Sequence, residues 1–188
     1  MKKGTGITLC IIAAVVILVM SSIGSYNSLV DSRENIDGLL ANIDTQLQRR
    51  NDLIPNIVNT VKGYTSHESE VLGQVSEARA KLAGAATTEE KSAADTELSS
   101  ALSRLLMVVE NYPDLKADTQ FTALTDELAG TENRIAVARK DYNDAARQYN
   151  AAIQKFPKVI FAGLFGFEKA DYFQAEEGAQ QAPSVNFD

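Results

Sequence analysis

FTALTDELAGTENRIAVARKDYNDAARQYNAAIQKF, residues 121–156, carries a large side chain at every seventh position: Phe121, Leu128, Ile135, Tyr142, Tyr149 and Phe156. Between them Leu124, Thr131, Ala138, Ala145 and Ala152 form a second register of mostly small residues. Steps of three and four return to one face of an α-helix, so the stretch predicts a single long amphipathic helix. Large side chains set against small ones along one seam point to close packing of the coiled-coil kind. Asp118 stands where an N-cap is needed. A helix over 118–156 would be on the order of 55 Å long at about 1.5 Å per residue, which predicts an elongated body.

The same period continues upstream. Leu29, Ile36 and Ile43, with Leu40 and Leu47, predict a first helix over about 26–50. Asn51-Asp52 reads as a joint, because Asp52 can cap free amides and Pro55 fits a first helical turn, where its missing N–H would be unpaired anyway. A second helix over about 52–82 follows, with Ile54, Val61, Val75 and Leu82 beside Ile57, Tyr64, Val71 and Ala78, and ends at Gly84-Ala85-Ala86. The third, over about 87–112, opens on a capping-box spacing from Thr87 to Glu90 and runs through Leu98, Leu102, Leu105, Val109 and Tyr112 to Pro113. No run alternates as a strand would. The expected fold is all-α: an elongated up-and-down four-helix bundle of long helices behind an N-terminal transmembrane helix. Gly130 and the joint at Asn51–Pro55 are its weak points. If Pro55 only kinks one continuous helix, the bundle has three helices, one of them very long.

The transmembrane reading comes from the first 30 residues. After Lys2 and Lys3 no charge occurs before Asp31, and Ile7 to Met20 is apolar apart from Thr8. Gly4 to Gly24 supplies the roughly 20 residues that a spanning helix needs. A basic start, an apolar core and Ser22-Ile23-Gly24 also make a signal peptide. The uncharged run continues in helical pattern through Tyr26 and Leu29 to Val30, which favours an anchor occupying residues 1–25 with a short cytoplasmic stub. Cys10 lacks the preceding small residue and upstream apolar run of a lipoprotein site. Lysines before the segment and Asp31, Arg33, Glu34 and Asp37 after it keep the N-terminus in the cytoplasm and the rest outside. The expected location is the bacterial inner membrane, single-pass.

Composition excludes more than it identifies. The 188 residues carry a net charge of −7, one histidine, one cysteine and no tryptophan. Setting Lys2 and Lys3 aside from the 18 basic residues leaves 16 against 25 acidic ones, −9 for the remainder. A disulfide framework or a zinc site needs several Cys or His at fixed spacings. Nucleic-acid binding needs a basic footprint. No glycine-flanked serine elbow, H-E-x-x-H helix or phosphate loop occurs, and no catalytic residue, metal ligand or cofactor is expected. His67, in Ser66-His67-Glu68-Ser69, reads as a solvated surface residue.

Two other stretches suggest contacts. Val159 to Phe167 (VIFAGLFGF) is apolar but too short to span. It either covers the membrane-proximal end of the core or dips into the headgroup region through Phe161, Leu164, Phe165 and Phe167. Arg49, Arg50 and Asp52 at the first joint, and Glu110, Asp114 and Lys116 at the third, would gather at the distal end. They read as capping groups and ion pairs, or as a platform for a protein partner. Glu132-Asn133-Arg134 and Arg139-Lys140-Asp141-Tyr142-Asn143 add polar residues along the fourth helix. Residues 174–188 are acidic and read as a disordered tail.

These stretches also carry a resemblance. Tyr26-Asn27, Leu47-Gln48-Arg49-Arg50-Asn51-Asp52-Leu53-Ile54-Pro55-Asn56-Ile57-Val58, Lys62-Gly63-Tyr64, Glu110-Asn111-Tyr112-Pro113-Asp114-Leu115-Lys116, Thr131-Glu132-Asn133-Arg134-Ile135-Ala136 and Phe165-Gly166-Phe167 closely resemble the LemA family of bacterial membrane proteins, over 26–173. The resemblance implies a single-pass anchor, a short cytoplasmic start and an exported four-helix bundle. It implies no catalytic residue and no cofactor. The expected function is a non-enzymatic, membrane-anchored scaffold or interaction module of the cell envelope. Its partners would be the bilayer and another envelope or membrane protein, with a homo-oligomer also compatible. A hydrolase-like enzyme using Arg49, Asp52, His67 and Glu68 stands as one alternative, and a lipid-binding or membrane-remodelling protein as another.

Overall fold

The computed structural model describes residues 2–65 and 68–174, and among these it is helical with no strand. The helices are α1 (Lys2–Tyr64), α2 (Ser69–Gly84), α3 (Thr88–Val109), the single turn α4 (Pro113–Lys116), α5 (Thr119–Ala152) and α6 (Lys158–Phe165). They sort into two compact units. One comprises residues 1–40 and 141–170, the other 41–140 and 171–188. His67 and the expected tail beyond Gln174 lie outside the described residues.

The expected joint at Asn51–Asp52 is not a break. α1 runs on through Pro55 to Tyr64, so the first and second expected helices divide after Tyr64 instead. A proline inside a helix has no N–H for the carbonyl four residues back. Here that carbonyl belongs to Asn51, and the Arg79 Nε–H of α2 donates to it at 3.1 Å. The polar group that Pro55 orphans is thus satisfied from a neighbouring helix, and Asn51 itself is buried.

In the unit built on 41–140, four helices surround one core. α1 contributes Ile43, Leu47, Ile54, Ile57 and Val61; α3 contributes Leu98, Leu102, Leu105 and Val109; α5 contributes Phe121, Leu128 and Ile135, all buried. From α2 come Leu72, Val75, Ala78 and Leu82. Burying each large aliphatic side chain stabilises by roughly 1.5–3 kcal/mol. Asp44 pairs with Lys91 and Arg50 with Asp95, so α1 and α3 run in the same direction. Arg49 pairs with Glu127 while Tyr64 bonds to Asp118, so α5 runs opposite to α1. The up-and-down order follows. The starts of α3 and α5 are capped where the sequence places their caps. The Thr87 Oγ1 accepts from Glu90 N at 3.1 Å and the Glu90 carboxylate accepts from Thr87 N at 3.1 Å. Asp118 accepts from Gln120 N and Phe121 N at the start of α5.

The other unit pairs the earlier part of α1 with the later part of α5. Leu29 and Ile36 meet the registers of Tyr142, Ala146, Tyr149 and Ile153, all buried. Phe156 departs from the heptad seam and is 80% exposed. α5 ends at Ala152, and Pro157 disfavours helical geometry at the residue before it, so Phe156 has left the helix. Past α6 the chain turns on Gly166, whose φ of 72° is the left-handed conformation that closes a helix, with Phe167 N donating to Ala162 O at 2.9 Å. Buried Asn150 then exchanges two 2.8 Å hydrogen bonds with the backbone of Ala170, which pins the segment after α6 to α5.

Arg79→Ala should cost about 1–3 kcal/mol by stranding the Asn51 carbonyl. In a Pro55→Ala background, which restores the helical donor, the same substitution should cost much less. Urea unfolding of the four proteins of this cycle reads the coupling directly.

Candidate functional site

Continuation of α1 past Asn51 separates the polar residues expected to meet at one end. Arg49, Arg50 and Asp52 lie within α1, with Asp52 on the order of 18 Å along the helix from Tyr64. Asp52 accepts from the Gln48 Nε2 at 2.7 Å. Arg49 pairs with Glu127, which Arg134 also approaches at 3.7 Å. Glu110 and Lys116 instead pair with each other at the α3–α4 corner, where Asp114 is exposed. Nearby, the Tyr64 hydroxyl donates to Asp118 at 2.8 Å and the Tyr112 hydroxyl to Glu68 at 3.1 Å. Arg49 and Asp52 are therefore on a different part of the unit from Glu68.

Arg50 leads somewhere the sequence reading did not. It is 2% exposed, and its guanidinium reaches Asp95 of α3, which is fully buried. Arg50 also donates to Ser99 Oγ at 2.9 Å and lies 3.2 Å from Glu132 of α5. Arg139 of α5 takes the second oxygen of Asp95, and its guanidinium sits 5.5 Å above the ring of Phe173. One carboxylate is thus held between two arginines from two further helices. A charge removed from water demands such partners. Glu132 and Arg139 stand out from sequence only as polar residues along the fourth helix, and Asp95 and Ser99 do not stand out at all. The available signal was register: Arg50 falls between Ile43 and Ile57 at heptad spacing, and Asp95 precedes Leu102 and Val109 in the same way.

Apolar side chains gather at the surface of the other unit. α1 contains an apolar window long enough to cross a membrane, none of it buried, with Leu9 70% and Met20 69% exposed. On α6, Val159, Ile160, Leu164 and Phe165 are exposed, whereas Phe161 and Phe167 are half-buried. Val159 and Ile160 are not among the residues that the sequence points to as lipid contacts. The ring of Tyr26 meets Phe165 and Phe167 edge-on, at centroid distances of 4.9 and 5.8 Å.

The sequence profile of the LemA family matches residues 39–187. This chain belongs to the LemA family. Among relatives, Magnetosome protein MamQ 2 of Paramagnetospirillum magneticum is 27% identical over 200 residues, covering 93% of this chain and 73% of the relative. Magnetosome protein MamQ of Magnetospirillum gryphiswaldense is 26% identical over 85% of this chain and 68% of its own length. Protein LemA of Metamycoplasma hominis is 26% identical, covering 82% of this chain and 71% of the relative. The buried cluster and α6 lie within the residues that the family profile matches, and the exposed apolar part of α1 lies before them.

Asp95→Ala leaves two arginines without their shared anion and should destabilise the protein by about 3–5 kcal/mol. Arg49→Ala, which removes an exposed pair, should cost no more than about 1 kcal/mol. Denaturant unfolding of the two variants separates these values. The pH profile has two limbs. The Phe121 N–H, then the Tyr64 hydroxyl, hold the Asp118 carboxyl below its usual 3.8, and bonds from Ala86 N and Thr87 N hold Glu90 below 4.5. Their contribution is complete above the unfolded-state values and is lost as pH falls through the lowered ones. Hydrogen bonds to Asp118 and Glu68 raise the phenols of Tyr64 and Tyr112 above 10.0. That contribution is complete below the unfolded value and is lost as pH rises through the raised one. Unfolding midpoints should be flat between about pH 5 and 9; Tyr112→Phe should weaken the alkaline decline, whereas Tyr64→Phe, which also removes a donor to Asp118, should weaken both limbs.

Proposed function

We propose that this LemA-family chain is a membrane-anchored scaffold of the bacterial cell envelope, with the bundle outside the cytoplasmic membrane as an interaction module for another envelope protein. The observation that carries the reading is the change of character along α1. Leu9, Ile11, Val16, Ile17, Val19 and Met20 are exposed, whereas Leu29, Ile36, Ile43, Leu47, Ile54 and Val61 are core. A helix that is apolar all round and exposed needs a nonaqueous surround, whereas one with a buried stripe needs protein neighbours. Lys2 and Lys3 before the segment and Asp31, Arg33, Glu34 and Asp37 after it support an N-terminus kept inside.

A scaffold role is supported by where the charged side chains are spent. Arg49, Arg50, Asp95, Glu132 and Arg139 tie α1, α3 and α5 together. A surface that remains for a partner is the α3–α4 corner with Glu110, Asp114 and Lys116, beside exposed Met107.

Two readouts test the proposal. In a Cys10→Ser background, Met107→Cys should be labelled by a membrane-impermeant maleimide in intact cells. A photocrosslinker replacing Asp114 should capture the same discrete envelope protein in repeated preparations, and capture should fall when Glu110 and Lys116 are charge-reversed. Labelling of Met107→Cys only after lysis would contradict the topology. No discrete product from the corner would contradict the partner surface.

A further inference from the structure

We infer that α6 is a second membrane contact, seated in the boundary between headgroups and acyl chains of the same bilayer that α1 crosses. The inference rests on the anchor reading above and adds a site to it. α6 has its faces reversed relative to a helix of a water-soluble protein. Ala162 is the residue it buries, and Lys158 at its start donates to Ser28 Oγ of α1 at 2.7 Å. At 100° per residue, Ile160 and Leu164 lie on the side opposite Ala162. Leu164 is 72% exposed, and Val159, Ile160 and Phe165 extend the apolar surface. A contiguous apolar surface of this kind marks a site of association.

Its position selects the occupant. Tyr26 packs against Phe165 and Phe167, and Ile23, within one helical turn of Tyr26, is exposed at the end of the apolar window. One turn rises about 5.4 Å. If Gly4 to Gly24 fills the hydrocarbon, Tyr26 stands at the headgroup level where tyrosines concentrate. Its contacts hold α6 at that depth. The Asn150–Ala170 hydrogen bonds and the Lys158–Ser28 bond fix both ends of α6 without using Ile160 or Leu164. With Lys158 turned to Ser28, the docking face itself is apolar, so the contact depends on acyl-chain burial rather than on attraction to anionic headgroups.

The chain contains no tryptophan, so a single introduced indole reports its own surroundings. The full chain is reconstituted into phosphatidylcholine vesicles with and without lipid brominated near the acyl midpoint, as Val16→Trp, Leu164→Trp or Met107→Trp. Val16→Trp tests the anchor alone. An interfacial helix buries its apolar face by roughly 5–10 Å, so Leu164→Trp emission should drop about twofold with brominated lipid, independently of salt, while Met107→Trp emission should not change. Quenching of Val16→Trp without quenching of Leu164→Trp overturns the α6 contact and leaves the anchor standing. A blue-shifted but unquenched Leu164→Trp means that protein, such as a second copy, covers the face, and also overturns it. Loss of quenching at Val16→Trp overturns the anchor reading itself.

Discussion

A backbone carbonyl without a helical donor sits midway along the part of α1 that lies in the four-helix unit. Pro55 removes the N–H that Asn51 O would accept, and a buried carbonyl left alone costs about as much as a lost hydrogen bond. Arg79 supplies the donor from α2. With that bond in place α1 keeps its register from Ile43 through Ile54 to Val61, all of them core residues. Had the chain turned at Asn51, Arg50 would lie at a helix end, where water could solvate it. Because α1 continues, Arg50 is carried into the interior, where it needs an anion.

Asp95 is that anion, and it imposes conditions of its own. Its two oxygens are taken by arginines of α1 and α5, so a shift of any one of the three helices would expose a charge to an apolar surround. Removing one member of such a buried group is strongly destabilising, because it leaves an uncompensated charge in the interior. Exposed pairs of the same unit such as Lys81–Glu97 are worth far less, because water screens them.

Much of this was legible from spacing alone. The heptads of α5 read correctly from Phe121 to Tyr149, and the caps at Thr87 and Asp118 fall where their side-chain chemistry demands. Spacing leaves two readings at Asn51–Pro55, a joint or one continuous helix, and the structure has the second: a cap residue followed by proline is the ordinary signature of a helix start, and the compensating donor is a residue distant in sequence on another helix. Local rules cannot see Arg79. For the same reason Arg49, Arg50 and Asp52 were grouped with Glu110, Asp114 and Lys116. The buried cluster left a fainter trace, charged residues of opposite sign standing in apolar registers, which acquires meaning only once the two helices are paired. The apolar run after Phe156 was visible, but which of its side chains face outward depends on the anchors at Ser28 and Asn150.

The central claim is that one uninterrupted helix carries the apolar N-terminal segment into the protein core. Amide hydrogen exchange of the full chain in lipid or detergent reads this across Pro55. The account predicts slow exchange for the amides from Ile57 to Val61, comparable with those of Ile43 to Arg50. Exchange at Ile57 to Val61 as fast as at Ala86, in the connection between α2 and α3, would place a joint at Asn51–Pro55 and contradict it.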